Sequence, residues 1–127
     1  RAVTPVLPMI GLSHGAHSGM MKVDVFLDHP EIIMPGLVVM FVVMAPMEEI
    51  LYRGVVHDAL KPAIGSPGRV LVGGLLFGGM HLFLSGGIVS MVLTSILGVL
   101  AAGAYERTQN LTVPIMAHAS YWLIIPF

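Results

Sequence analysis

The chain has 127 residues, of which 56% are hydrophobic and 10% charged, with a formal net charge of −1 and a mean hydropathy of +0.90. A water-soluble domain carries roughly 25% charged residues, so this composition excludes a compact soluble domain, and the near-neutral charge offers no electrostatic footprint for nucleic acid. With no cysteine in the chain, disulfides, thiolate metal sites and thiol nucleophiles are excluded together.

Residues 1–31 mix proline, glycine, charged side chains and the histidines His14, His17 and His29. They read as an N-terminal loop with an interfacial piece near Met20–Leu27. No continuous apolar run follows a basic start, so they do not read as a signal peptide. His14 and His17 are close enough to share a helical turn, but Gly15 between them favours a solvated loop over a metal site.

Residues 32–127 read as one membrane core. The first apolar stretch runs over 32–60 and carries charges in its second half. Lys61-Pro62 through Pro67-Gly68 is a loop, because proline and glycine continue a helix only at a cost. Val70 to Tyr105 contains no Asp, Glu, Lys or Arg, which is too long for one span of about 20 residues. Ser85-Gly86-Gly87 is a turn signal that divides it into helices over 68–84 and 86–105. Glu106–Asn110 is a second polar loop, and 111–127 is the last apolar stretch, with Pro114 in its first turn, where a missing N–H costs nothing. The second and fourth stretches are short for complete spans. Continuous rather than alternating apolar runs exclude a membrane barrel, and backbone groups in lipid must be satisfied within the element. The fold class is therefore all-α, a polytopic transmembrane bundle of about four helices, integral to the membrane and in contact with its lipids. Lys61, Arg69 and Arg107, with Arg53 nearby, fall at one side, which the positive-inside rule places in the cytoplasm.

Glu48, Glu49 and Arg53 lie inside the first apolar stretch, where a charged group costs on the order of 2.5–3.5 kcal/mol. Glu49 and Arg53 are spaced i,i+4 and can pair on one helix face. On its own, that pair reads as structural. Glu48 points about 100° away around the helix and is left without this partner, which makes it a candidate general base or acid. Counting from the loop ends at about 1.5 Å per residue, Glu48 and His81 both lie roughly 20 Å deep, and His118 roughly 12 Å. A carboxylate and two imidazoles on three helices thus converge at similar depth. Two histidines and a glutamate can hold a divalent metal such as zinc with an open fourth position, or activate water without one; the residues fit both. His57 and Asp58 read as interfacial, Glu106 and Arg107 as solvated loop charges, and Phe77 and Trp122 as packing residues. There is no His-Glu-x-x-His zinc motif, Gly-x-Ser-x-Gly elbow or phosphate-binding glycine loop.

These residues resemble the CPBP family of intramembrane proteases, which includes the type II CAAX prenyl endopeptidases and the Abi-type bacterial proteins. Its Glu-Glu-x-x-x-Arg motif matches Glu48 to Arg53, its Phe-x-x-x-His motif matches Phe77 to His81, and its Asn-x-x-x-Pro-x-x-x-His segment matches Asn110 to His118. The resemblance implies a hydrolase cleaving membrane-anchored peptides or prenylated C-termini, with catalytic set Glu48, Glu49, Arg53, His81 and His118. Glu48 would take a proton from water, His81 would orient that water, His118 would face the developing oxyanion, and Glu49 would hold Arg53. The chain departs from the pattern at Trp122, where the family usually has Asn or Asp; indole donates a hydrogen bond but neither accepts one nor ligates metal. Starting at Arg1, without the family's usual upstream helices, it reads as a fragment or a minimal member. The alternative is a non-catalytic protein of the same fold, in immunity or scaffolding. A proton or ion carrier is disfavoured, since the 86–105 helix offers only Ser90, Thr94 and Ser95 as polar lining.

Overall fold

The computed structural model describes residues 28–85 and 87–124, with backbone alone at 85 and 122–124. His14, His17 and the interfacial piece expected near 20–27 lie outside the described residues. The proline and glycine punctuation of the sequence becomes four helices, α1 (Pro30–Ala59), α2 (Ser66–Ser85), α3 (Ile88–Thr108) and α4 (Thr112–Ile124). No strand occurs among the described residues. Three of the helices, α1, α2 and α3, are long and apolar enough to cross a membrane. α2 is longer than the sequence suggests, because Pro67 sits in its first turn and does not delay its start. α4 is described over 13 residues, about 20 Å of helix.

The polarity of the bundle is reversed relative to a soluble protein. Glu49, Arg53, His57, His81, Thr94 and His118 are buried, whereas Phe83 is 87% exposed and Met34, Val42, Met47 and Leu100 are about two-thirds exposed. Such an outside is stable only against lipid or further apolar helices, and such an inside only if its polar groups find partners.

α2 and α3 form an antiparallel hairpin packed backbone to backbone. A Cβ added at Gly78 would lie 2.6 Å from the Met91 carbonyl oxygen and 2.7 Å from the Ser95 nitrogen, and one at Gly98 would lie 2.9 Å from the Gly74 carbonyl oxygen. Only glycine permits this approach, the small-residue packing that helices use where lipid removes the hydrophobic driving force. α3 closes on Gln109, whose left-handed φ of 49° lets its N–H reach the Tyr105 carbonyl at 2.7 Å. The Asn110 side-chain oxygen then accepts the Thr112 N–H at 2.9 Å, satisfying a donor that the start of α4 would otherwise leave open.

α1 is not a regular α-helix. It widens to π-helical hydrogen bonding over Val39–Met44 and Ile50–Val56, with α-helical turns at Ala45–Glu49 and His57–Ala59. The first wide segment ends just before Ala45-Pro46, where the proline ring would meet the carbonyl four residues back in a regular helix. The widening has a second consequence. Ala45, Glu49, Arg53 and His57 are each at most 1% exposed, a row repeating every four residues. In a regular helix each such step drifts about 40° around the axis. A wide turn holds more residues and takes that drift back, so the whole row faces the bundle.

Candidate active site

Two long-range hydrogen bonds at the centre of the bundle begin on the buried row of α1. Glu49 and Arg53 form the i,i+4 ion pair expected from their spacing, with Nη1 2.9 Å from Oε2. Arg53 uses its other terminal nitrogen to donate to the Gly98 carbonyl oxygen of α3 at 2.9 Å. Glu49 uses its other oxygen to accept from His118 Nδ1 of α4, also at 2.9 Å. Glu49 is therefore the hinge of the network: both oxygens are engaged, and the residue is fully buried.

Glu48 is different. Its side chain is 24% exposed, and its Oε2 lies 3.8 Å from His118 Nε2, beyond hydrogen-bond length. That oxygen is itself buried and has no hydrogen-bond partner. Glu49 Oε2 likewise has no hydrogen-bond partner, but it keeps the Arg53 ion pair at 2.9 Å, which Glu48 lacks.

Phe77 supplies the common surface. It is fully buried, and its ring centroid lies 4.7 Å from that of His81, 5.3 Å from that of His118 and 5.1 Å from that of Tyr52. The Arg53 guanidinium carbon sits 4.9 Å from the same centroid, within cation–π range. One aromatic ring thus brings side chains from α1, α2 and α4 to one place. His81 donates through Nδ1 to the Phe77 carbonyl oxygen at 2.9 Å, which leaves Nε2 as the accepting nitrogen of the neutral ring. Tyr52 donates its hydroxyl to Met80 Sδ at 3.3 Å.

The structure therefore brings Arg53, His81 and His118 around Phe77, with Glu49 bonded to Arg53 and His118 and Glu48 3.8 Å from His118. Sequence reasoning placed them at one depth but missed that His118 makes its short contact with Glu49, that Arg53 also reaches α3, and that Phe77 is the shared platform. Trp122 lies on the backbone of α4, and its side chain is outside the described residues. As for a metal, among the described residues no group of three or more His, Asp or Glu side chains is arranged to hold one; the candidate ligands Glu48, His81 and His118 do not form such a set.

Several charged residues are not where the sequence suggests. His57 is not interfacial but 1% exposed, and its Nε2 is 2.7 Å from Glu106 Oε1. Glu106 is not a solvated loop charge: it ends α3 turned inward and also accepts from Arg69 Nε at 2.7 Å. Burial of the i, i+4, i+8 row from Glu49 was the available signal for His57. Asp58 pairs with Lys61 at 2.7 Å where both are 42% exposed; the hydrogen bond that Lys61 donates to Asp58 raises the Lys61 ammonium above its ordinary value.

An all-helical bundle with membrane-length helices and a buried glutamate–arginine–histidine network defines the class: a membrane-embedded protein with a polar site at its centre. The family model for type II CAAX prenyl endopeptidases, Rce1-like, matches residues 30–124, and the chain belongs to that family. No curated protein and no solved structure matches the chain.

Proposed function

We propose that the chain is a multi-pass intramembrane endopeptidase that hydrolyses a peptide bond of a membrane-associated substrate with water activated by Glu48. The observation that carries this reading is the contrast between adjacent carboxylates. Each Glu49 oxygen lies 2.9 Å from a basic nitrogen, of Arg53 or of His118, whereas Glu48 is partly open and the basic neighbour of its buried Oε2, His118 Nε2, stands off at 3.8 Å. A carboxylate held in this way is free to accept a proton.

In the proposed reaction Glu48 takes one proton from a water as its oxygen adds to the scissile carbonyl carbon. His81, fixed by its bond to the Phe77 carbonyl, turns Nε2 toward that water. His118 stabilises the developing oxyanion, which requires protons on both its nitrogens; Nδ1–H stays on Glu49, which balances the charge, and Nε2–H donates. Collapse of the tetrahedral intermediate breaks the carbon–nitrogen bond, and the proton on Glu48 passes to the leaving amine. Preorganised donors of this kind commonly supply the largest single share of rate enhancement. The family supports substrates of the prenylated CAAX type or other membrane-anchored peptides. Nothing in the charge distribution suits nucleic acid.

A second reading, a non-catalytic member in immunity or scaffolding, is favoured by Trp122 at the position where an Asn or Asp is usual. Both readings are tested with purified protein in detergent, assayed on membrane-anchored and prenylated peptides with and without chelator, beside the Trp122→Asn variant. Cleavage unaffected by chelator is the expected result. Loss with chelator would return Glu48, His81 and His118 to the role of zinc ligands, and no cleavage by either protein would favour the non-catalytic reading.

A further inference from the structure

A second buried polar cluster lies at the loop end of the bundle, apart from the site. Glu106 at the end of α3 gathers its partners from two other helices. His57 Nε2 of α1 is 2.7 Å from its Oε1, and Arg69 of α2 donates from Nε at 2.7 Å and pairs through Nη2 at 2.6 Å with the same oxygen. Arg69 then donates from Nη1 to the Ile64 carbonyl oxygen at 3.0 Å, which fixes the connection between α1 and α2. Tyr105 packs edge-on against the His57 ring at 5.6 Å. One carboxylate thus ties the ends of α1, α2 and α3, the helices that carry Glu48, Glu49, Arg53, His81 and the Gly98 carbonyl.

The cluster also bears on the geometry of α1. The wide segment Ile50–Val56 begins directly after Glu49 and ends directly before His57. Hydrogen bonding of the π type is rare and persists as short interruptions of α-helices, so the surrounding structure must hold it at both ends. At one end Glu49 is held by His118, with Arg53 held by Gly98 within the segment. At the other end the only long-range polar contact of the described residues on α1 beyond Arg53 is His57 with Glu106.

We infer that His57, Glu106 and Arg69 form a positioning clamp that sets the rotation of α1, so that the Ala45–Glu49–Arg53–His57 row faces inward and Glu48 is presented to the site. The inference rests on the hydrolytic reading of Glu48 for its catalytic consequence and on geometry alone for its structural one. Without the clamp the wide segment relaxes toward a regular helix. The row then drifts by about 40° per four-residue step, and Glu48 moves relative to His81 and His118. Misplacement by about 1 Å from a change far from the chemistry can cost on the order of a hundredfold in rate. None of the three residues touches the reacting atoms.

The experiment compares the parent with His57→Leu, His57→Gln and Glu106→Gln in detergent. It reads kcat and KM on a membrane-anchored peptide, and amide hydrogen exchange resolved over 49–57 and over α3. Removing the tie in His57→Leu should lower kcat by at least tenfold with KM little changed, and should speed exchange over 49–57 while α3 stays protected. Glu106→Gln should move both readouts in the same direction. His57→Gln can still donate to Glu106, so it should recover most of kcat and of the protection. The clamp is overturned if His57→Leu leaves exchange over 49–57 unchanged, if exchange rises equally in every helix, or if His57→Gln fails as badly as His57→Leu. A parent that cleaves nothing would sink the hydrolytic reading instead, and the exchange pattern would still decide the clamp.

Discussion

The bundle holds two buried carboxylate clusters, and they differ in how completely they are satisfied. At the loop end, one oxygen of Glu106 receives His57 and two nitrogens of Arg69. At the centre, both oxygens of Glu49 have a basic partner at 2.9 Å, but its neighbour Glu48, 24% exposed, has its basic neighbour His118 Nε2 at 3.8 Å. Desolvating a charge costs several kcal/mol unless partners compensate it. A saturated carboxylate in a membrane bundle is explained by the helices it ties together. An unsaturated one serves no such purpose, and chemistry is the better account of it. The lesson of the comparison is that burial and charge alone do not mark a site; a carboxylate whose basic neighbour stands off does.

That contrast can be broken most severely at Arg53. Its guanidinium is 1% exposed and serves Glu49, the Gly98 carbonyl and the Phe77 face together. Arg53→Ala strands a buried carboxylate and should destabilise the protein by about 3–5 kcal/mol, seen as a large fall in melting temperature in detergent, with cleavage lost alongside. A variant of parental stability would show that the pair does not sit in low dielectric.

His118→Ala should act mainly on rate. Removing one oxyanion donor costs about 10²- to 10³-fold in kcat, measured on a membrane-anchored peptide. Since Glu49 keeps Arg53 when His118 is removed, the melting temperature should fall by less than in Arg53→Ala. If His118→Ala cleaves at the parental rate, the oxyanion role passes elsewhere.

A bulky residue at Gly78 sharpens the comparison from the side of packing. Gly78→Leu must force α2 from α3, since even a Cβ would lie 2.6 Å from the Met91 carbonyl oxygen, and overpacking of this kind costs about 1–3 kcal/mol. Thermal unfolding monitored by circular dichroism should report it. Parental stability would mean that the two helices do not approach as closely as described.

The smallest effect is expected at Lys61. The Asp58 hydrogen bond raises its ammonium above the ordinary value. A raised group contributes stability that is fully present below its unfolded value and fades as pH rises through its folded value. The pair is exposed to solvent and screened, and such pairs contribute little. Lys61→Ala should therefore leave the melting temperature within error from neutral to mildly alkaline pH; a clear drop would give this end of the bundle a surface contribution that its geometry does not suggest.

Much of this was legible in the sequence. Apolar runs broken at Lys61-Pro62, Ser85-Gly86-Gly87 and Glu106–Asn110 gave the helices to within a few residues, because lipid tolerates few charges and proline and glycine mark the ends. The Glu49–Arg53 pair followed from i,i+4 spacing. Convergence with His81 and His118 followed from counting depth. Depth, however, fixes position along an axis and not rotation about it, so the contact of His118 with Glu49 could not be read. The wide turns of α1 leave no trace in hydropathy, and with them the inward turn of His57 was hidden. Glu106 misled for a related reason: a charge at the end of an apolar run looks solvated until the partners that fold back on it, His57 and Arg69, are known.

The most direct test of the central claim is cleavage by Glu48→Gln beside Glu49→Gln, at matched concentration in detergent, with melting temperature recorded for each. Glu48→Gln keeps the shape of the side chain and removes its basicity. Cleavage should fall by about 10²- to 10⁴-fold, the usual contribution of a general base, with the melting temperature near that of the parent. Glu49→Gln should lose stability as well as cleavage, because it gives up the charge that holds Arg53. If Glu48→Gln cleaves as fast as the parent, Glu48 is not the base and the account fails.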